Sequence, residues 1–229
     1  MKKLPDGKLF SYKGIQMKEL CLIFDIDGTL WDSCEAVCES WRLSLRRRYG
    51  CFGSPTLEQV RSIMGMTPDE IAVKLFSRFG ARAREVFDAL SADECAYLAA
   101  HGAAVYPGVP EQLRALAAAR KLFLVSNCQR GYIEAFLAST GTEELFQAHL
   151  CAGVTGLSKS ENLRKLIREQ QITRAVFVGD TLSDERAARE AGCVFIHAAY
   201  GFGAAESPDA VLNSFTELPS LLEMLEKED

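Results

Sequence analysis

The chain predicts an α/β fold: a parallel sheet with helices on both faces, and a helical cap inserted after the first core strand. Three observations carry this. After residue 105 short apolar runs alternate with helical pattern, between residues 32 and 104 the pattern is almost purely helical, and polar residues recur where the apolar runs end. Alternation of that kind builds a parallel sheet buried on both faces, whose strands read as continuous apolar runs.

Taken in order, the strands are expected at 20–24, 122–126, 149–152, 175–179 and 194–197. The first cap helix, 33–49, carries Val37, Trp41 and Leu45 at four-residue spacing and stops at Gly50, which suits a left-handed cap. Ser54-Pro55 opens a second helix, and Thr67-Pro68-Asp69-Glu70 opens a third with a capping box and proline at the first helical position. The third ends near Gly80, and a fourth runs over 83–101 to Gly102. Trp31, Trp41 and Phe76 are expected as core anchors of this helical unit. The division is a core of 18–32 and 104–229, a cap of 33–103, and linkers near 31–33 and 103–108.

Composition bounds the function. The 229 residues are 48% hydrophobic and 25% charged, with a net charge of -5, which describes a globular protein with a sizeable core. That balance argues against a general nucleic-acid binder, and Arg46-Arg47-Arg48 reads as the solvated end of a helix. No apolar run approaches about 20 residues, so no membrane span is expected. Residues 1–18 are broken by Pro5, Asp6, Gly7 and Gly14 and do not read as a signal peptide. The eight cysteines are scattered through strands and helices, and free thiols in a cytoplasmic protein are expected. Cys34 and Cys38 are four apart, but no second pair with zinc spacing follows. His101, His149 and His197 fall in no metal or triad pattern and are read as structural.

The most informative stretch is Cys21-Leu22-Ile23-Phe24-Asp25-Ile26-Asp27-Gly28-Thr29-Leu30. Residues two apart on a strand face the same way, so Asp25 and Asp27 would both meet a pocket beyond the strand's carboxyl end. Carboxylates that close repel, and a divalent metal relieves them. A calcium loop is excluded, because Leu30 stands where such a loop needs glycine. An acidic strand end followed by a turn remains the plainer alternative. Further strand ends bring Ser126-Asn127 and Gly179-Asp180 with Asp184, and Lys159 lies in the loop after the third strand. Singly these read as caps, turns and a surface charge; together they place four carboxylates, a hydroxyl and an ammonium on one rim.

In that order and spacing the residues resemble the four motifs of the haloacid dehalogenase-like hydrolase superfamily, and most of all its phosphoglycolate phosphatase-like branch. Motif one is Asp25-Ile26-Asp27-Gly28-Thr29-Leu30, motif two Leu124-Val125-Ser126-Asn127, motif three Lys159, and motif four Val178-Gly179-Asp180 with Asp184. Relatives often carry Lys-Pro at motif three, whereas Ser160 follows Lys159 here. The resemblance spans about residues 18 to 229 and implies a Rossmann-like core.

It also implies a Mg²⁺-dependent phosphatase acting on a small phosphorylated metabolite, either phosphoglycolate-like or a sugar phosphate, as a monomer or homodimer. Asp25 would be the nucleophile and Asp27 the acid and base. Mg²⁺ would be held by Asp25, the Asp27 carbonyl, Asp180 and, as an additional or supporting ligand, Asp184. Ser126, the Asn127 amide and Lys159 would hold the phosphoryl oxygens, with Gly28 and Thr29 at the turn beneath them. Gly65, Met66 and Thr67 read either as an ordinary turn and helix start, the favoured reading, or as contributors to specificity. A phosphomutase with the same motifs is the alternative, and a non-catalytic phosphate-binding protein a more distant one. A dehalogenase would need no Asp27, and a phosphoacceptor signalling domain would have no use for the cap.

Overall fold

The computed structural model describes residues 20–51 and 53–227. The unread segment 1–17 lies outside them. In chain order the elements are β1 (Leu20–Phe24), β2 (Trp31–Asp32), α1 (Cys34–Tyr49), α2 (Leu57–Arg61), α3 (Pro68–Phe76) and α4 (Ala83–His101). They continue with β3 (Ala104–Val105), α5 (Val109–Ala117), β4 (Leu122–Ser126), α6 (Tyr132–Thr140), β5 (Phe146–Cys151), α7 (Ala152–Thr155) and α8 (Lys159–Glu169). The last are β6 (Arg174–Gly179), α9 (Leu182–Ala191), β7 (Val194–Ala198), β8 (Ala210–Leu212) and α10 (Leu218–Lys227).

Six strands form one sheet in the order β5-β4-β1-β6-β7-β8, with every neighbouring pair parallel. Period-two alternation along each strand feeds two cores, one per face. Leu20, Leu22 and Phe24 of β1 join one cluster with Leu122, Leu124, Val176 and Val178, whereas Cys21 and Ile23 join the other with Phe123, Val125 and Phe177. This two-sided burial explains why the central strands read as unbroken apolar runs.

The edges depart from expectation. β5 begins at Phe146, three residues early, because an edge strand tolerates polar residues such as the exposed Gln147 that break the apolar run. Ala152 opens the one-turn α7 instead of ending the strand. β8 is a three-residue edge strand with no readable pattern.

Helices α1 to α4 form the unit between β1 and β4. Gly50 closes α1 at φ 59° with its N–H on the Arg46 carbonyl, and Glu70 reaches back to the Thr67 N–H at 2.8 Å. The second helix opens at Leu57 and not at Ser54-Pro55, because Thr56 and Gln59 supply the capping box. α3 stops at Phe76, and a 3₁₀ stretch, Ser77–Arg82, turns on Gly80 at φ 58°. Trp41, Phe76 and Phe87 pack with centroids 5.4 to 6.1 Å apart and anchor the unit. Trp31 instead packs on the core helix α6, against Tyr132 and Phe136 at 5.8 and 5.0 Å. Entry and exit of the unit are tied together, since β2 and β3 pair antiparallel, Trp31 with Val105 and Asp32 with Ala104.

All eight cysteines carry free thiols. Among the described residues no helix is long and apolar enough to cross a membrane.

Candidate active site

The strand order puts β4, β1 and β6 side by side, so Ser126, Asp25 and Asp180 emerge together at their carboxyl ends. Asp25 is held there by its own N–H, which donates to the Val178 carbonyl at 2.9 Å. Lys159 opens α8, where a cation opposes the helix dipole. Two carboxylates compensate: its ammonium lies 3.1 Å from Asp25 Oδ2 and donates to Asp184 Oδ1 at 2.6 Å. Burial by itself depresses this ammonium, but Asp184 and Asp25 outweigh it and hold the pKa above the usual lysine range.

Glycines press the chain around Asp180. A Cβ on Gly28, whose φ is +79°, would lie 2.1 Å from Asp180 Oδ2, and one on Gly201 would lie 2.4 Å from Asp180 Cβ. The Phe202 N–H donates to Asp180 Oδ2 at 2.7 Å, and the His197 ring donates from Nε2 to the Asp180 carbonyl at 3.0 Å. Asp184 caps α9, its Oδ2 accepting from the Thr181 N–H and hydroxyl at 3.0 and 2.7 Å.

Carboxylate atoms of Asp25, Asp180 and Asp184 lie within 4.8 Å of one another. Oδ1 of Asp25 and Oδ1 of Asp180 are buried with no hydrogen-bond partner. Burial, then neighbouring carboxylates, push both pKa values up, with Lys159 opposing. Unsatisfied buried carboxylate oxygens are costly, and a hard divalent cation with oxygen ligands removes the cost. The residues present fit Mg²⁺.

Asp27 stands apart from that trio. Its Oδ1 accepts from Ser33 Oγ at 2.6 Å and Trp31 Nε1 at 3.0 Å, and Tyr132 Oη lies 2.6 Å away. Burial raises its pKa, and these three donors pull against the rise. All three partners are on Oδ1, and Asp27 lines one cavity with Asp25. The arrangement suits a carboxyl that must give up and retake a proton.

That cavity encloses about 40 Å³ between the sheet rim and α1, α3 and α4. Asp25, Asp27, Ser126 and Asn127 form its floor; Val37, Trp41, Ile71, Phe87 and Glu94 form its roof. Gly65 and Met66 also line it, and Asn127 Nδ2 donates to the Gly65 carbonyl at 2.8 Å, tying rim to roof. Thr67 is turned to α3 as its cap. Gly28 and Thr29 do not line the cavity; Thr29 is fully buried, and its carbonyl accepts from the Tyr200 hydroxyl at 2.8 Å.

Five site residues escape a motif reading: Tyr132, Glu94 and Gln129, which line the cavity, and Trp31 and Ser33, which donate to Asp27. One had a legible signal. Phe87, Leu90, Ser91, Glu94 and Leu98 make the buried stripe of α4, so Glu94 is a charge on an apolar face.

The haloacid dehalogenase-like hydrolase model matches residues 22–198. The chain belongs to that family. It is 30% identical over 224 residues to a phosphoglycolate phosphatase of Vibrio vulnificus, covering 88% of this chain and 95% of that one. It is 29% identical over 215 residues to a phosphoglycolate phosphatase of Synechococcus elongatus, covering 86% and 94%. Two solved structures share the fold. A haloacid dehalogenase-like hydrolase from Streptococcus pneumoniae superimposes with a TM-score of 0.73 at 19% identity, covering 89% of this chain and 98% of that one. CbbY from Rhodobacter sphaeroides, in complex with phosphate, gives 0.71 at 22%, covering 88% and 96%. The match holds the Asp25 and Asp180 strand ends and the helical unit between them.

Proposed function

We propose that this hydrolase is a Mg²⁺-dependent phosphatase that cleaves a small phosphate monoester through a phosphorylated Asp25. The observation that carries the reading is the convergence of Asp25, Ser126 and Asp180 on three adjacent strand ends, with the Lys159 ammonium 3.1 Å from Asp25.

Asp25 attacks phosphorus; the Asp25 O–P bond forms as the ester P–O bond breaks. Asp27 gives its proton to the departing alkoxide, then takes one from the water that attacks phosphorus, and the Asp25 O–P bond breaks to release phosphate. Lys159, Ser126 and the Asn127 amide hold the phosphoryl oxygens, and Lys159 counters their charge. Asp25, Asp180 and the Asp27 carbonyl would hold Mg²⁺, with Asp184 as an additional or supporting ligand. When bound, the ion neutralises the repulsion between Asp25 and the phosphoryl group. The helical unit acts as the cap: it closes the cavity roof, excludes water and selects the leaving group.

Rapid quench with an aryl phosphate, followed by peptide mass analysis, tests this. Asp27→Asn should accumulate phosphate on the peptide holding Asp25, because it cannot activate water, and Asp25→Asn should show none. Phosphate on another residue, or on Asp25→Asn, overturns the nucleophile assignment.

A further inference from the structure

Glu94 is 3% exposed in the cavity roof, and the proposed mechanism does not use it. Its Oε2 accepts from Trp41 Nε1 at 2.5 Å and its Oε1 from Gln129 Nε2 at 2.9 Å. A carboxylate offers about four acceptor positions, so once ionised Glu94 would keep two lone pairs and its charge unmatched by these two neutral donors. Among the described residues no lysine, arginine or histidine lines this cavity; its charged members are Asp25, Asp27 and Glu94. Burial pushes Glu94 up to about 8, the mark of a carboxyl with no cation beside it.

The absence of a cation bears on the leaving group. A glycolate-type leaving group brings its own carboxylate, which needs an arginine, lysine or a cluster of donors to receive it. Here it would meet Glu94 instead. An ammonium meets the opposite: Glu94, which an arriving cation drives to give up its proton and pair with it, and the aromatic residues Trp41, Phe87 and Tyr132 of the same lining. The space, about 40 Å³, is room for roughly three waters or a chain of a few heavy atoms. Resting on the phosphatase reading above, we infer that the substrate is a short amino-alcohol phosphate, its ammonium received by Glu94 and the aromatic wall.

The test is kcat/KM of the Mg²⁺-loaded enzyme for 2-aminoethyl phosphate, glycerol phosphate, phosphoglycolate and p-nitrophenyl phosphate. The aminoethyl ester should exceed both glycerol phosphate and phosphoglycolate by roughly tenfold or more, the scale of one charge-assisted contact. In Glu94→Gln that preference over phosphoglycolate should fall about tenfold, and Glu94→Asp, which keeps the charge, should restore part of it. Equal or better turnover of phosphoglycolate or glycerol phosphate by the wild type, with p-nitrophenyl phosphate also cleaved, overturns this inference and leaves the phosphatase reading standing. No turnover of any ester, p-nitrophenyl phosphate included, overturns both.

Discussion

The two walls of the cavity are built by different physics. On the sheet side, polar groups sit where buried parallel strands end, and their positions follow from strand order and register. On the helical side, an aromatic cluster of Trp41, Phe76 and Phe87 sets the roof, and a single carboxylate faces inward from α4. The sheet wall therefore holds charge against charge, ammonium to carboxylate, while the helical wall holds a carboxyl against neutral donors with no cation beside it. On the proposed reading, the first serves the reaction and the second chooses what reacts.

That contrast can be broken in three places. The largest effect is expected from metal removal: EDTA should abolish turnover and Mg²⁺ restore it, because Asp25 and Asp180 each keep an unsatisfied oxygen. Full turnover in chelated buffer would remove the sheet wall's part in the chemistry. Next, Lys159→Ala should lower kcat/KM about a hundredfold, as expected when a transition-state charge contact is lost. A change below about threefold, in protein whose thermal unfolding shows it folded, would separate Lys159 from the reaction.

The third test concerns the helical wall and reads stability, not turnover. Burial pushes Glu94 up to about 8, from an ordinary value of 4.5 in the unfolded chain. Between those values the unfolded chain has released the proton that the folded chain retains, so stability falls as pH rises through this window. The contribution is roughly 1.4 kcal/mol per pH unit, fully present below the unfolded value and lost above the folded one. Glu94→Gln should remove that slope, so the difference in urea midpoint between wild type and variant should drift steadily from pH 5 to 7.5. A constant difference would mean Glu94 is ionised throughout, paired with a cation.

Legibility in the sequence followed the same division. Asp25, Ser126 and Asp180 were visible because each ends an apolar run; Lys159 was legible only through the resemblance, as a cation expected in the loop after the third strand, where the structure instead has it open α8. The helix ends at Gly50 and Gly102 were visible because left-handed glycine stops are local. Ser33 and Tyr132 were not, since they reach Asp27 across six and 105 residues, and nothing local marks such a meeting. Ser33 also looks like an ordinary helix cap, yet its hydroxyl is taken by Asp27, and Asp32 supplies the cap at Cys34 instead. The edge strand β8 was hidden by its length, and β2 and β3 by theirs.

Those two-residue strands matter for how the chain finds its fold. Leu22 must meet Leu122 to start the sheet, across the whole helical insert. Helices α1 to α4 touch mainly one another and α6, and all but the α6 contacts close within the insert itself, over shorter loops than β1 to β4. Once they have formed and the β2–β3 ribbon has clasped their two ends, the flexible chain between β1 and β4 shortens to about a quarter of its length, and the closure cost drops by roughly 1 kcal/mol. A ribbon formed early would thus act as a folding staple, turning the pairing of β1 with β4 into a medium-range one.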